Sequence, residues 1–174
     1  MEERIVALAV RQQGVVTRRQ LIEAGLSPWA VAHRLRSGRL HRLHAGVYRV
    51  GPLMPPHARE MAAVLASGPG SVVSHFSAAS FRGLWVEQMD AAERSDASPV
   101  HITVVHANRG NRPGIRAHRV VRLNRGEWTV ETGIPVTTPE RTLVDLAGMV
   151  GSRELEGMLA TAEREGLVGR ESSP

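Results

Sequence analysis

From Thr17 to Gly51 the chain carries helix starts, helix stops and turn residues at such short intervals that only a series of small elements fits it. Thr17-Arg18-Arg19-Gln20 has the form of a capping box, in which the threonine hydroxyl accepts from a free backbone N–H while the glutamine reaches back to the threonine amide. A short helix starts there and ends at Gly25. Ser27-Pro28 supplies a second N-cap, with proline at the first helical position where its missing N–H is harmless, and Gly38 stops the helix that it opens over 28–37. Upstream, Ile5, Leu8 and Ala9 recur at helical spacing and Gly14 closes a first helix over about 2–13. Downstream, RLHRLHAGVYRVG reads as strands over 40–43 and 47–50 around the loop His44-Ala45-Gly46, whose glycine suits a positive φ. Two short helices joined around a glycine and followed at once by a hairpin make a winged helix-turn-helix, whose second short helix is shaped for the major groove of DNA.

On a helical wheel the 28–37 segment turns Pro28, Val31, Ala32 and Leu35 to the core and Ala30, His33, Arg34 and Ser37 outward, with Trp29 and Arg36 on a flank. The distribution of charge agrees. Nine arginines stand against three acids over 1–51, three against five over 52–100, six against none over 101–125 and four against nine over 126–174. All 22 basic residues are arginine, which reflects the coding bias of a GC-rich genome, and the formal net charge is +5. A basic module joined to a less basic remainder is the footprint of nucleic-acid binding. One arginine alone is an ordinary solvated side chain; the capped helices, the turn and the basic hairpin together point to double-stranded DNA. The candidate DNA-binding residues are Arg18, Arg19, Trp29, Ala30, His33, Arg34, Arg36, Ser37, Arg39, Arg42 and Arg49. Backbone affinity rests on the arginines and base choice on Ala30, His33, Arg34 and Ser37.

Beyond Gly51, the run Pro52-Leu53-Met54-Pro55-Pro56 breaks helix and strand and marks a domain boundary. Helices are expected over 57–67, 74–84, 139–147 and 152–165, with Leu155, Met158, Leu159 and Ala162 on one stripe of the last. A stub strand at 72–73, strands at 101–105 and 115–123 and a hairpin over 128–136 complete a mixed unit, with a polar loop at 87–99. Thr138-Pro139 starts the 139–147 helix, with Thr137 and Glu140 as an alternative capping box. The expected class is α+β: a winged helix-turn-helix over 1–51, a small mixed α/β domain over 57–168 and a flexible tail over 169–174.

The segment TRRQLIEAGLSPWAVAHRLRSGRLHRLHAGVYRVG resembles the N-terminal winged helix of AbiEi-type antitoxins of type IV toxin–antitoxin systems. SVVSHFSAASFRGLW, the arginine-rich segments around 101–122 and GIPVTTPERTLVDLA are similar to the middle region of actinobacterial members. The resemblance implies a repressor that binds an operator of inverted repeats in its own promoter and neutralises a cognate nucleotidyltransferase toxin through its C-terminal part. The nuclease-like C-terminal domain of many actinobacterial relatives is not expected within these residues.

The second basic block admits three readings: a further DNA contact, a docking surface for an acidic toxin, or an internal partner for the acidic 126–174 segment. A strand over 115–123 would set Arg116, His118 and Arg122 on one face, and Arg109 and Arg112 in the preceding loop extend this possible second basic surface. No catalysis, cofactor or metal is expected. There is no cysteine, no glycine-rich phosphate loop and no lysine for a restriction-type nuclease core, and Asp90, Asp96 and Asp145 are the only aspartates. His41 and His44 lack further metal ligands in pattern. His75 beside Ser74 and Ser77 suggests a triad fragment, which helix capping by the serines explains more simply. The longest aliphatic runs fall far short of a membrane span, so a cytoplasmic protein without a membrane partner is expected. The alternative function is a protein-interaction module whose basic faces bind an acidic partner without operator binding.

Overall fold

The computed structural model describes residues 1–84, 98–105 and 112–169. The expected loop over 87–97, Arg109 and residues 170–174 of the expected tail lie outside the described residues. The chain divides into two compact units, Met1–Ser71 with Val130–Ile134, and Val72–Thr129 with Pro135–Pro174. Within the described residues the class is mixed α/β, with two sheets.

The first unit follows the winged-helix order. Helix α1 (Glu2–Arg11) precedes strand β1 (Val15–Thr17), helices α2 (Arg18–Glu23) and α3 (Pro28–Arg36), and the hairpin β2 (Leu40–His44) and β3 (Val47–Val50). The Thr17 capping box forms as the sequence dictates: Thr17 Oγ1 accepts from the Gln20 N–H at 3.2 Å and Gln20 Oε1 accepts from the Thr17 N–H at 2.8 Å. Ser27 caps α3 by accepting from the Ala30 N–H at 3.1 Å. β1, which no sequence signal marks, is only three residues long and pairs with β3 to give the antiparallel order β1-β3-β2. Gly46, at φ +74°, turns the hairpin, and its carbonyl accepts from the Arg18 N–H at 2.8 Å.

Strand alternation gives the sheet two faces. Val16, Leu40 and Tyr48 join Ile5, Ala9, Leu21, Ala24, Leu26 and Val31 in one core with α1, α2 and α3. Val15 and Val47 point the other way yet are equally buried. Helix α4 (Ala58–Ser67) lies against all three strands and contributes nothing to that core, so it covers the second face. The first unit therefore runs to Ser71, whereas the sequence places the division in 52–56. The proline-rich stretch is a sharp turn within one unit: Pro55 packs on Gly14, where an added Cβ would stand 2.8 Å from Pro55 Cγ.

β4 (Val72–Val73), β5 (Val100–Val105), β6 (Ile115–Val120), β7 (Trp128–Glu131) and β8 (Ile134–Thr137) form the second sheet, in the order β6-β5-β4-β8-β7. β5 and β6 run parallel, and so do β4 and β8. Helices α5 (His75–Phe81), α6 (Pro139–Leu146) and α7 (Ser152–Arg164) share a core of Phe76, Ala79, Leu84, Leu143, Leu146, Met158 and Ala162. Thr138 caps α6 by accepting from the Arg141 N–H, while Thr137 turns inward to Thr142 at 2.7 Å, so the alternative box with Glu140 does not form. On α7, Leu159 lies exposed, off the expected stripe.

Removing the Thr17 hydroxyl leaves an α2 donor without its partner. Thr17→Ala is expected to destabilise the first unit by about 1 kcal/mol, read as a lowered midpoint in urea unfolding.

Candidate nucleic-acid interface

Helix α3 exposes Pro28, Trp29, His33 and Arg36, and Ser37 follows as its exposed C-cap. Ser37 Oγ bonds the Arg34 carbonyl at 3.3 Å. Trp29 is 69% exposed, and its ring stacks on His33 with centroids 5.5 Å apart and planes 21° apart. Two expected outward residues are placed otherwise. Ala30 packs against the core, and Pro28, expected inward, is exposed. Arg34 is 14% exposed and held by Glu2 in a bidentate pair at 3.0 and 2.7 Å. That hydrogen bond, assisted by the charges of Arg34 and Arg39, holds the Glu2 carboxyl below its ordinary range.

The hairpin and the start of α2 divide their arginines in the same manner. Arg18, Arg19, Arg39 and Arg42 are exposed, Arg19 forming a loose 3.6 Å pair with Glu23. Arg49 faces away from the α1–α3 core, is half-buried, and donates through Nη1 to the Pro52 carbonyl. Trp29, His33, Arg36, Ser37, Arg39 and Arg42 thus remain exposed on the α3–hairpin side, while Arg34 and Arg49 have protein partners.

Within the second basic block, the described residues do not all share the one strand face that their spacing suggests. β6 ends at Val120, so Arg122 falls outside it and donates through Nε to Asn124 Oδ1 at 2.7 Å. Arg116 and Arg119 are exposed and Arg112 is half-buried. Arg125 stacks over Trp128 at 4.5 Å. Among the described residues none of these five is ion-paired with an acid. His118 points inward. Its Nε2 lies 3.0 Å from Nδ1 of His101, and its ring stacks on His75 with centroids 3.5 Å apart and planes 14° apart. The sequence shows the three histidines singly; only the parallel pairing of β5 with β6, and α5 above β5, gathers them.

Ser74 and Ser77 serve this cluster rather than capping. Ser74 Oγ lies 2.9 Å from His75 Nδ1 and makes no cap bond, and Ser77 Oγ accepts from the His101 N–H at 2.9 Å. Asp145 Oδ2 approaches the same His75 nitrogen at 3.8 Å. A proton relay needs its serine and acid on opposite ring nitrogens, so these three are not arranged as a triad. Asp145 Oδ1 instead accepts from Arg141 Nε at 2.8 Å, and Arg141 Nη1 donates to Glu127 at 2.5 Å. Burial raises the Asp145 carboxyl above its ordinary value, with the Arg141 hydrogen bond opposing it. Among the described residues no group of three or more histidine, aspartate or glutamate side chains is disposed to hold a metal ion, and no helix is long and apolar enough to cross a membrane.

Residues 3–51 match a family model described as transcriptional regulator, AbiEi antitoxin. A comparison with curated proteins gives no match. Among solved structures the chain is similar to the crystal structure of the RV2827C protein from Mycobacterium tuberculosis, with a TM-score of 0.52 and 19% identity over 91% of this chain and 70% of that one. At that identity the likeness is one of fold.

The histidine cluster gives the second unit a defined response to acid. Burial, followed by the charges of the neighbouring histidines, pushes His75 down from 6.5 to about 3 and His101 to about 4; burial and then Arg116 lower His118. Between about pH 6.5 and these values the unfolded chain holds protons that the folded chain refuses, so stability falls as pH falls through that window. Urea unfolding of the wild type is expected to show this slope. His75→Phe, which cannot take a proton, is expected to flatten it; an unchanged slope would mean that His75 binds its proton equally in the folded and unfolded chain.

Proposed function

We propose that this chain, whose residues 3–51 match the model of the AbiEi antitoxin family of transcriptional regulators, is the DNA-binding repressor of its own promoter and the antitoxin to a nucleotidyltransferase. The observation that carries the reading is that the family-matched segment leaves the outer side of α3 and the arginines beside it uncovered. Helix α3 enters the major groove, and Arg36, Arg39 and Arg42 reach phosphates on either side. An operator of inverted repeats would take two copies. The second unit then supplies the toxin-directed function, and the protein works in the cytoplasm without catalysis of its own. A second reading, a protein-interaction module without operator binding, is favoured by one observation, the exposed indole of Trp29.

Fluorescence anisotropy against the duplex upstream of the protein's own reading frame tests the DNA claim. Affinity is expected to fall steeply with salt, and Arg36→Ala, Arg39→Ala and Arg42→Ala each to reduce the logarithmic salt slope by about 1. Arg49→Ala is expected to leave the slope unchanged while lowering stability. Glu2→Gln releases Arg34 and removes a negative charge beside α3, so it is expected to tighten binding. A titration without salt-sensitive binding would leave only the interaction-module reading. Co-expression with the nucleotidyltransferase of the neighbouring reading frame tests the antitoxin claim, since growth arrested by that enzyme alone is expected to resume.

A further inference from the structure

We propose that Trp29 is the specificity-determining residue of the interface and that it reads the C5-methyl group of thymine in the major groove; this rests on the DNA-binding reading above. Trp29 is the second residue of α3, directly after Pro28, and the N-terminal turn of a recognition helix is the part that meets base edges. Nothing in the first unit covers it, and it is the one large hydrophobic side chain exposed on α3. His33, one turn on, stacks against the ring and limits where it can swing.

Three of the four other candidates for base reading are weak ones. Ala30 is turned to the core, Arg34 is engaged by Glu2, and Ser37 lies past the end of the helix. The exposed side of α3 carries no asparagine, glutamine or acid to pair with adenine or cytosine. A large apolar surface thus faces the groove where hydrogen-bonding side chains are few. The apolar feature that the groove offers is the thymine methyl, which distinguishes thymine from every other base there. A tryptophan that anchors a protein partner sits at the centre of a well-packed patch. Around Trp29 the exposed neighbours on and just beyond the helix are Pro28, His33, Arg36 and Ser37, which suit a charged polyanion better.

The experiment compares two duplexes of the region upstream of the reading frame, one natural and one with deoxyuridine in place of thymidine, which removes the methyl and keeps the pairing. The full chain is expected to bind the deoxyuridine duplex about fourfold more weakly for each methyl that Trp29 covers. Trp29→Ala is expected to bind both duplexes with equal affinity, at the level of the wild type on deoxyuridine or below, and to melt at the wild-type temperature because the side chain is exposed. If the wild type ignores the substitution, or Trp29→Ala keeps the preference for thymine, the proposal is overturned while salt-sensitive binding leaves the repressor reading standing. If no duplex forms a salt-sensitive complex, both fall.

Discussion

The pairing of Val16 with Tyr48 across β1 and β3 fixes what the first unit can present to a partner. With Tyr48 held against α1–α3, strand alternation sends Arg49 to the opposite face, and His41, its cross-strand partner, goes with it. A slip of one residue would exchange these sets and bury charge in the core. Arg42 shares the face of Tyr48 but stands on the edge strand beside an irregularity between Arg42 and His44, and there it reaches solvent. The ion pair between Glu2 and Arg34 does for α3 what register does for the hairpin. Two constraints without any sequence preference of their own thus select which cations stay available, and a count of arginines overstates the positive surface.

Much of this fold was legible because its boundaries are local. Thr17 with Gln20, Ser27 with Pro28, and Gly46 act within four residues of themselves, and the helices and hairpin stand where those signals put them. What escaped was long-range. β1 is too short to show a period and exists only because β3 pairs with it. Residues 52–56 read as a linker because proline and glycine break both regular structures, yet the chain turns there and α4 packs back on the sheet it has just left. Glu2 and Arg34 are 32 positions apart, so a wheel drawn for α3 alone leaves Arg34 in solvent.

The second basic block was legible only in part, for a related reason. A period of two put Arg116 and His118 together, and β6 does place them on one face. The pattern could not say that this face meets His101 and His75, where burial holds the rings neutral. A neutral histidine offers one donor and one acceptor, so the short contact between His118 Nε2 and His101 Nδ1 needs complementary tautomers, while the Ser74 hydroxyl can donate to or accept from His75 Nδ1. Such a cluster ties α5, β5 and β6 to one mutual arrangement in a way that interchangeable apolar side chains do not.

The same distinction bears on α3. Its core side is made of Val31, Leu35 and Ala30, residues that hold position by volume alone. Its outer side keeps an indole in water, which the hydrophobic effect opposes unless something else is gained. Side chains on a helix lean toward its N-terminus, so His33 lies back over Trp29 and the pair is displaced toward the leading turn of α3. Proline at the head of the helix removes one backbone donor there, and Ser27 satisfies another at Ala30. The leading turn consequently presents an apolar ring more than backbone polarity. On the proposed reading, contacts of that kind discriminate by shape and by the presence of a methyl group, while the arginines would supply the salt-sensitive attraction to a duplex.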